Sequence, residues 1–546
     1  MLKKIRTVLA AVMFVGITLL FLDFTGTLHT WLGWMAKIQL LPAVMALNVV
    51  VIVVLAVLTL VFGRIYCSVI CPLGILQDVL ARLRRKKNKY GYSKEVRWLR
   101  YPVLVVFVVA AVAGVGSLFQ LLAPYSAFGR IATMVLQPLW MLCNNVLGFL
   151  AERADSYAFY TVDVWMKSLP VLIVALATLI VLAVLAWRGG RTYCNTICPV
   201  GTVLSFLARF SWLKIRFDEE KCRNCSMCSR NCKAACIDYK SHSVDYSRCV
   251  VCGNCIESCK FGALMYRRQA SPSRQASPSP SEGGDVQIPD VTKEPSPCYA
   301  PDVTKEPSPC YREALRSSSS NQTPPPLEGL GEASRLVEAS RRSFLIGTAL
   351  VTTAAMAQKK EKLMDGGLAE LENKVAPERQ TPLTPPGSLS FDYFAKRCTG
   401  CQLCVSECPN NVLRPTTDLM HLMLPEMSYE RGYCRPECTR CSEVCPARAI
   451  KLVDQAEKSS IQIGHAVFIQ KNCVAVTDGV DCGNCERHCP TGAIELVALR
   501  EDDEESPWVP AVNEEACIGC GACEYVCPAR PFSAIIVEGH EVHRKI

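Results

Sequence analysis

The segment CTGCQLCVSECP, residues 398–409, separates four cysteines by two, two and three residues and ends in Cys-Pro. Nearly the same pattern returns as CIGCGACEYVCP at residues 517–528. Three thiolates at this spacing surround one [4Fe–4S] cube, and the fourth ligates the neighbouring cube in two-cluster ferredoxins. The stretch therefore predicts iron–sulfur clusters held in α+β folds of the bacterial ferredoxin type.

A four-cluster domain is predicted at residues 390–546, because four such groups occur there and each ends in Cys-Pro. No cysteine of this segment is left over. The groups are Cys398, Cys401, Cys404 and Cys408; Cys434, Cys438, Cys441 and Cys445; Cys473, Cys482, Cys485 and Cys489; and Cys517, Cys520, Cys523 and Cys527. By analogy with other four-cluster proteins, we expect ligand exchange between the first and fourth groups and between the second and third.

A two-cluster ferredoxin domain is predicted at residues 213–266. Its ligand sets are Cys222, Cys225, Cys228 and Cys259 for one cluster, and Cys249, Cys252, Cys255 and Cys232 for the other. Zinc sites also use C-x2-C pairs, but a longer loop usually separates those pairs and the third close cysteine is missing. Three residues depart from the usual motif. Lys233 and Lys260 stand where proline commonly follows the fourth cysteine, and Cys236 is surplus.

Six clusters on these thiols account for most of the 32 cysteines in the chain. A disulfide scaffold does not explain the count, because such scaffolds are short secreted domains. The sequence has no C-x-x-C-H motif for attached haem and no glycine-rich nucleotide loop, so neither haem nor a nucleotide is expected. The net charge of +9 lies largely beside apolar segments, which favours membrane topology over nucleic-acid binding.

A polytopic α-helical membrane domain is predicted at residues 1–212. Four uncharged runs are long enough to cross a bilayer, which takes about 20 residues as helix. They are Val8–Phe21 with its flanking residues, Ile38–Phe62, Tyr101–Ala123 and Leu169–Trp187. Basic residues cluster at the N-terminus, between the second and third runs and after the fourth, so these places are expected in the cytoplasm. A further uncharged run, Ile131–Ala151, contains Pro and Asn, and we interpret it as an interfacial or re-entrant piece on the outer face.

An internal repeat carries two more cysteine pairs. Residues 63–74, GRIYCSVICPLG, match residues 190–201, GRTYCNTICPVG. The equivalent C-x3-C-P positions are occupied by Cys67, Cys71, Cys194 and Cys198. These four thiols form either a metal or redox-active site, or they are small packing residues in two helix-end turns.

Residues 267–339 are predicted to be a disordered linker, because they are rich in Ser, Pro and Gln and poor in aromatic residues. A twelve-residue unit repeats there, and its copies contain Cys298 and Cys310, which we expect to be free thiols. Residues 340–358 contain Arg341 and Arg342 followed by an apolar run that ends in Ala-Met-Ala. This segment resembles a twin-arginine export signal, with an extra span as the alternative. Export would bring the four-cluster domain to the periplasm.

Residues 1–266 resemble NapH, the membrane quinol-dehydrogenase component of periplasmic nitrate reductase systems, in their four spans, paired C-x3-C-P motifs and two-cluster ferredoxin. Residues 340–546 resemble NapG, its exported four-cluster partner, and MauN and MauM share this architecture. The resemblance implies a fusion that works in the bacterial inner membrane as an electron-transfer component of a quinol dehydrogenase. Its implied partners are the lipid bilayer, the quinone pool and a periplasmic acceptor, a cytochrome or a molybdenum enzyme such as nitrate reductase.

Two other functions stay open on the sequence. Membrane polyferredoxins with similar C-x3-C-P repeats reduce metal ions for metalloenzyme maturation, and clusters can also serve as redox sensors. Neither a dedicated metal-binding extension nor a sensor output domain is visible. His29, beside Trp31 and Trp34, is a candidate quinol contact, although interfacial aromatic residues explain the same group.

Overall fold

The computed structural model describes residues 2–23, 25–83, 90–156, 159–268, 372–500 and 506–546, and all of these fall in one compact unit. The predicted linker beyond Arg268 and the export-signal segment 340–358 lie outside the described residues. So do Cys298 and Cys310.

The N-terminal part is helical, as its long uncharged runs predict. Its helices are α1 (Leu2–Leu22), α2 (Thr27–Leu32), α3 (Trp34–Lys37), α4 (Leu40–Met45), α5 (Val49–Phe62), α6 (Pro72–Arg82), α7 (Arg97–Ala113), α8 (Gly116–Leu122), α9 (Pro124–Ile131), α10 (Gln137–Glu152), α11 (Leu169–Gly189), α12 (Thr192–Thr196) and α13 (Pro199–Ala208). Two π-helical turns, Tyr66–Ile70 and Ala132–Leu136, precede α6 and α10.

Three helical runs are long and apolar enough to cross a membrane: Lys3–Leu22, Pro124–Glu152 and Leu169–Gly189. The first and the last of them correspond to the first and fourth predicted spans. The inner two predicted spans differ from the expectation, because each is a broken helix.

The second predicted span divides into α4 and α5 around Leu47, which has a φ of +53°. Asn48 then caps α5, because its side chain accepts a hydrogen bond from the Val51 amide at 3.3 Å. The third predicted span divides into α7 and α8 at Gly114, whose φ of +75° ends α7 in the left-handed conformation that glycine tolerates. Hydropathy alone does not reveal such breaks, since the residues on both sides are equally apolar.

The predicted interfacial piece Ile131–Ala151 lies inside the second of the three long runs. Its length and composition are those of a span, which differs from the interfacial interpretation, and its first half contacts the four-cluster domain. Ser126 Oγ donates a hydrogen bond to the Thr399 carbonyl. Eleven positions further on, Gln137 Nε2 donates to the Ser406 carbonyl at 3.0 Å. The segment from Ser126 to Gln137 therefore packs on the four-cluster domain.

The first ferredoxin domain consists of two antiparallel strand pairs with short helices at its cysteines. Its elements are β1 (Leu213–Phe217), α14 (Met227–Arg230), β2 (Ile237–Asp238), β3 (Ser243–Val244), α15 (Asn254–Ser258) and β4 (Leu264–Arg268), with β1 paired to β4 and β2 to β3. The domain packs at the C-terminal end of α11, where the Arg191 amide donates to the Lys233 carbonyl at 2.9 Å.

The four-cluster domain has three antiparallel strand pairs, β5 with β6, β7 with β10 and β8 with β9. Its elements are α16 (Phe391–Arg397), α17 (Leu403–Ser406), β5 (Leu413–Pro415), β6 (Pro425–Met427), α18 (Arg440–Val444), α19 (Gln455–Ser459), β7 (Ile461–Phe468), α20 (Val474–Thr477), α21 (Asn484–Arg487), β8 (Ile494–Ala498), β9 (Trp508–Val512), α22 (Ala522–Val526) and β10 (Ile535–Lys545). The long pair β7–β10 brings the end of the chain back to the middle of the domain.

The four-cluster domain docks at the N-terminal end of α11. Lys167, just before that helix, donates hydrogen bonds to the Val405 carbonyl at 2.9 Å and to Gln137 Oε1 at 3.0 Å. Gln120 Nε2 donates to the Cys398 carbonyl at 3.3 Å. Helix α11 has 21 residues and is therefore about 30 Å long. The two ferredoxin domains thus contact opposite ends of a helix that matches the thickness of a bilayer core.

The packing of α9 on the four-cluster domain depends on Gly129. A Cβ atom at that position would clash with the backbone carbonyl of Cys401, which cannot move without its loop. We expect Gly129→Ala to lower the thermal midpoint of the purified full chain, since overpacking costs about 1–3 kcal/mol. Gly91→Ala is the matched control, because a Cβ atom there has nothing within 4 Å. Equal midpoints for the two variants would contradict the close packing.

Candidate iron–sulfur centres and the thiol site between them

The structure brings each predicted thiol set of the first ferredoxin domain together. Cys222, Cys225, Cys228 and Cys259 line one cavity, the set that the spacing predicts. In the other set, Cys255 lies within electrostatic range of Cys252, Cys232 and Cys249. Each cavity thus combines three thiols of one group with the last thiol of the other.

In the four-cluster domain the exchange of ligands differs from the expectation. One cavity is lined by Cys408 together with Cys434, Cys438 and Cys441, and Cys404 lies near Cys398, Cys401 and Cys445. A third cavity is lined by Cys489, Cys517, Cys520 and Cys523, and a fourth by Cys473, Cys482, Cys485 and Cys527. The expected pairing of first with fourth and second with third is therefore wrong: first pairs with second, and third with fourth. Consecutive groups form one local two-cluster lobe each, which needs less chain closure than exchange across the domain.

The thiols fit iron–sulfur clusters chemically. Burial raises the pKa of Cys401 and of Cys520 to about 12, and that of Cys228 to about 11. Such thiols keep their protons at neutral pH unless a metal displaces them, and iron binds the thiolate. Backbone amides also point at sulfur, for example Ala534 N to Cys527 Sγ at 3.3 Å. Hydrogen bonds of this kind set the potential of a cluster.

Cys236, which the spacing leaves surplus, has a place beside the second cluster site. Its Sγ lies 3.5 Å from Cys232 Sγ, and it is also within hydrogen-bond range of Cys249. A hydrogen bond from the Cys236 thiol is the main reason that the pKa of Cys232 falls to about 7. When Cys232 ligates iron as a thiolate, only the Cys236 thiol can donate in this contact. Sequence spacing does not show this, because the contact depends on the turn after Cys232.

The C-x3-C-P thiols of the two repeats meet in the interior. Cys67, Cys71, Cys194 and Cys198 are all buried, and Cys198 lies within electrostatic range of the other three. We call these four residues the bridging thiol site. Gln77 Nε2 donates to Cys194 Sγ at 3.2 Å. The arrangement favours the metal or redox interpretation over separate packing residues, because the four thiols of the two repeats interact with one another electrostatically.

Each repeat is held by the arginine of the other. Arg64 donates to the Cys194 carbonyl at 3.1 Å, and Arg191 donates to the Cys67 carbonyl. Both guanidinium groups are fully buried. The glycine after each motif makes room for this exchange, since a Cβ atom on Gly74 would meet Arg191 and the Cys67 carbonyl. We call these crossed contacts the arginine brace.

Asp78 forms ion pairs with three cationic side chains around the arginine brace. Its carboxylate pairs with Arg191 at 2.9 Å, Arg6 at 3.2 Å and Lys233 at 3.4 Å. Burial by itself would raise the pKa of Asp78, but Arg191 and the other cations outweigh it and hold that pKa well below its usual range. Lys233, which replaces the expected proline, therefore links the first ferredoxin domain to the bridging thiol site.

The charge balance at the bridging thiol site is positive. Arg6, Arg191 and Lys233 share the single carboxylate of Asp78. Arg64 is held by neutral groups, the Asn195 side-chain oxygen at 2.9 Å and the Ser247 carbonyl at 3.0 Å. Buried cations need compensation, and thiolates that bind a metal at this site would supply it.

Aromatic and polar side chains continue from the bridging thiol site to the four-cluster domain. Tyr193 lies within electrostatic range of Cys198 and of Arg130 on α9. On the same helix, Tyr125 lies within range of Cys401 and Cys445. Helix α9 thus borders both thiol sets, and no sequence motif marks it for this position.

Helix α1 gives the scale of that separation. Arg6 pairs with Asp78, and the Phe21 ring packs on the Tyr125 ring at 6.0 Å between centroids. Fifteen helical positions separate Arg6 from Phe21, which corresponds to about 22 Å. The bridging thiol site and the nearest thiols of the four-cluster domain therefore lie near opposite ends of α1, about 22 Å apart along its axis.

A buried polar group lies where α2 meets the four-cluster domain. Glu407 is 2% exposed and neither of its carboxylate oxygens has a hydrogen-bond partner among the described residues. Burial, reinforced by Asp23, raises the pKa of Glu407 to about 8, although Arg440 acts against it. Arg440 Nη1 and His29 Nδ1 are buried without a partner in the described chain as well. The sequence indicated His29 as a candidate but not Glu407, because Glu407 is one of the three residues between Cys404 and Cys408 and no motif distinguishes it.

Comparison with known families agrees with this chemistry. A family model described as a 4Fe–4S binding domain, another with the same description and a 4Fe–4S dicluster domain all match the chain. The matched residues are 44–90 and 170–218 for the first, 242–265 and 392–414 for the second, and 433–493 and 479–530 for the dicluster domain. The first pair of matches contains the bridging thiol site. The protein therefore binds iron–sulfur clusters.

Among curated proteins, the ferredoxin-type protein NapG of Escherichia coli is 32% identical over 180 residues, which cover 30% of this chain and 75% of NapG. The chain belongs to the ferredoxin-type NapG/MauM family. The methylamine utilization ferredoxin-type protein MauM of Paracoccus denitrificans is 30% identical over 164 residues, 29% of this chain and 73% of MauM. The ferredoxin-type protein NapF of E. coli is 26% identical over 159 residues, 29% of this chain and 87% of NapF. No solved structure matches the chain. Members of this family are ferredoxin-type proteins, and iron–sulfur electron transfer is the activity class of the chain.

The contact of Cys236 gives a prediction for the potential of the second cluster. Cys236→Ala removes a hydrogen bond to a ligand sulfur, so the cluster should become harder to reduce, by on the order of 40 mV for a bond of about 1 kcal/mol. Cys236→Ser keeps the donor and should restore most of the shift. Redox titration followed by EPR measures both variants. Loss of four irons per chain from Cys236→Ala would contradict the assignment and make Cys236 a ligand.

Proposed function

We propose that this protein holds six [4Fe–4S] clusters and uses them to carry electrons from quinol to a periplasmic acceptor. The observation that supports it best is the contact of two ferredoxin domains with opposite ends of α11, with the bridging thiol site buried between them. When bound, the clusters supply one-electron acceptors and donors. A set of buried thiols inside the membrane part is what a relay between two such domains requires.

The proposed orientation of the protein in the membrane follows from the distribution of its basic residues. The basic residues near the first ferredoxin domain favour the cytoplasm for that side of a bacterial inner membrane. The four-cluster domain then lies in the periplasm, where a cytochrome or a molybdenum enzyme such as nitrate reductase is the proposed acceptor. In this arrangement the chain combines a NapH-like membrane part with a NapG-like exported part and serves as an electron-transfer component of a quinol dehydrogenase.

The proposed quinol position is the junction of α2 with the four-cluster domain. The unpartnered oxygens of Glu407 can accept a hydrogen bond from a quinol hydroxyl, and His29 Nδ1 and Arg440 Nη1 offer further partners. Trp31 and Trp34 are exposed beside His29, as aromatic residues are at a membrane interface. Quinol would release two electrons there to the neighbouring clusters and two protons to the periplasm.

The role of Glu407 is tested by replacing it with a side chain of similar volume that cannot accept a hydrogen bond. We expect Glu407→Met to raise the quinol concentration needed for half-maximal reduction of the clusters by about tenfold, the value of one hydrogen bond of about 1.4 kcal/mol. Reduction by dithionite should be unchanged. Visible absorbance of the purified full chain under anaerobic conditions measures the extent of cluster reduction by quinol and by dithionite.

Glu495→Met, at an exposed position of β8, is the matched control and should behave like the wild type. If quinol reduces the clusters of Glu407→Met as readily as those of the control, the quinol lies elsewhere. If quinol reduces no cluster in the wild type, the proposed electron donor is wrong.

A further inference from the structure

The hairpin loop between β5 and β6, residues 416–424, carries an unusual apolar tip. Leu419 is 81% exposed and Met420 63% exposed, whereas Met423 in the same loop is 1% exposed. A loop of a periplasmic or soluble domain has no evident reason to hold two large apolar side chains in water. The contacts of the loop indicate what covers Leu419 and Met420.

Met423 fixes the loop on the membrane helices. It belongs to a buried apolar cluster with Met134, Val171, Leu172 and Ala175, the last three of them on α11. Leu422 packs against the same cluster. The loop is thus attached to the side of a helix that is long and apolar enough to cross a membrane.

The backbone of the loop is bent for this contact. Met423 has a φ of +76°, a conformation that non-glycine residues adopt only when the surroundings hold them there. Gln402 Nε2 holds it by donating a hydrogen bond to the Met423 carbonyl at 2.5 Å. The position of the tip is therefore determined by the fold.

The depth of the contact follows from α11. The helix begins at Leu169, and Ala175 lies six residues further, which is about 9 Å along the axis. On the same turns, Leu169 and Ile173 are exposed, as expected for side chains that face lipid. The Met423 end of the loop is therefore level with the first turns of a span, where acyl chains begin, and the tip is only three residues away along the chain.

We propose that the 416–424 loop inserts Leu419 and Met420 into the outer edge of the bilayer and so holds the four-cluster domain on the membrane surface. The occupant is the acyl region of the leaflet on that side, because the loop continues an interface that already belongs to a spanning helix. Interfacial anchoring of this kind scales with the apolar area that leaves water. The proposal requires that α11 crosses the membrane, and it is independent of the direction of electron flow.

The test uses the full chain in vesicles of phosphatidylethanolamine and phosphatidylglycerol. The photoreactive amino acid p-benzoylphenylalanine replaces Leu419 in one variant and Val480 in the other. Val480 is 55% exposed on the lobe that carries the third and fourth cysteine groups and serves as the matched control. After irradiation, mass spectrometry of the loop peptides measures lipid adducts, and iron content confirms that both variants are folded.

We expect lipid adducts at position 419 in several-fold excess over position 480. Adducts at 419 no more frequent than at 480 would overturn the proposal. Adducts at 419 to protein instead of lipid would also overturn it, and would make the tip a docking surface for a partner protein or a second copy. Neither result bears on quinol oxidation, so a failure here is distinguishable from a failure of the proposed function.

Discussion

The arginine brace is the interaction on which the membrane part depends. Arg64 and Arg191 lie fully buried and each bonds the cysteine carbonyl of the opposite repeat. A buried guanidinium is costly unless it is paired and hydrogen-bonded, so the two repeats cannot separate without exposing unpaired charge. The same contacts place four thiols near one another and, through Asp78 and Lys233, attach the first ferredoxin domain beside them. One electrostatic arrangement thereby fixes both the thiol site and its neighbour.

Cysteine spacing predicted which thiols of the first ferredoxin domain lie together, because ligation of a cube imposes short and regular distances along the chain. It did not predict which groups exchange their fourth thiol in the four-cluster domain. That choice depends on how adjacent loops close into lobes, and Cys408 and Cys445 exchange within the first lobe. The repeat likewise indicated a paired thiol motif, but only the fold shows that the arginine of each copy bonds to the other copy.

Other features escape sequence reasoning for a common reason: they depend on what the chain meets elsewhere. In the sequence, Lys233 is only a residue that replaces the usual proline, whereas in the structure it pairs with Asp78. Glu407 is only one of the residues between two cysteines in the sequence, whereas in the structure its carboxylate oxygens are buried without partners among the described residues. Apolar composition predicted long helices, yet the path of α9 along the four-cluster domain follows from tertiary contacts. These are the positions that connect the two halves of the protein.

The central claim is that the bridging thiol site connects the clusters of the two ferredoxin domains through the membrane part. The most direct measurement encloses an impermeant electron acceptor in sealed vesicles that contain the full chain and supplies an impermeant reductant outside. The account predicts that the wild-type chain reduces the enclosed acceptor, and that Cys67→Ser combined with Cys194→Ser lowers the rate to that of protein-free vesicles while both ferredoxin domains keep their iron. Unchanged transfer in the double variant would contradict it.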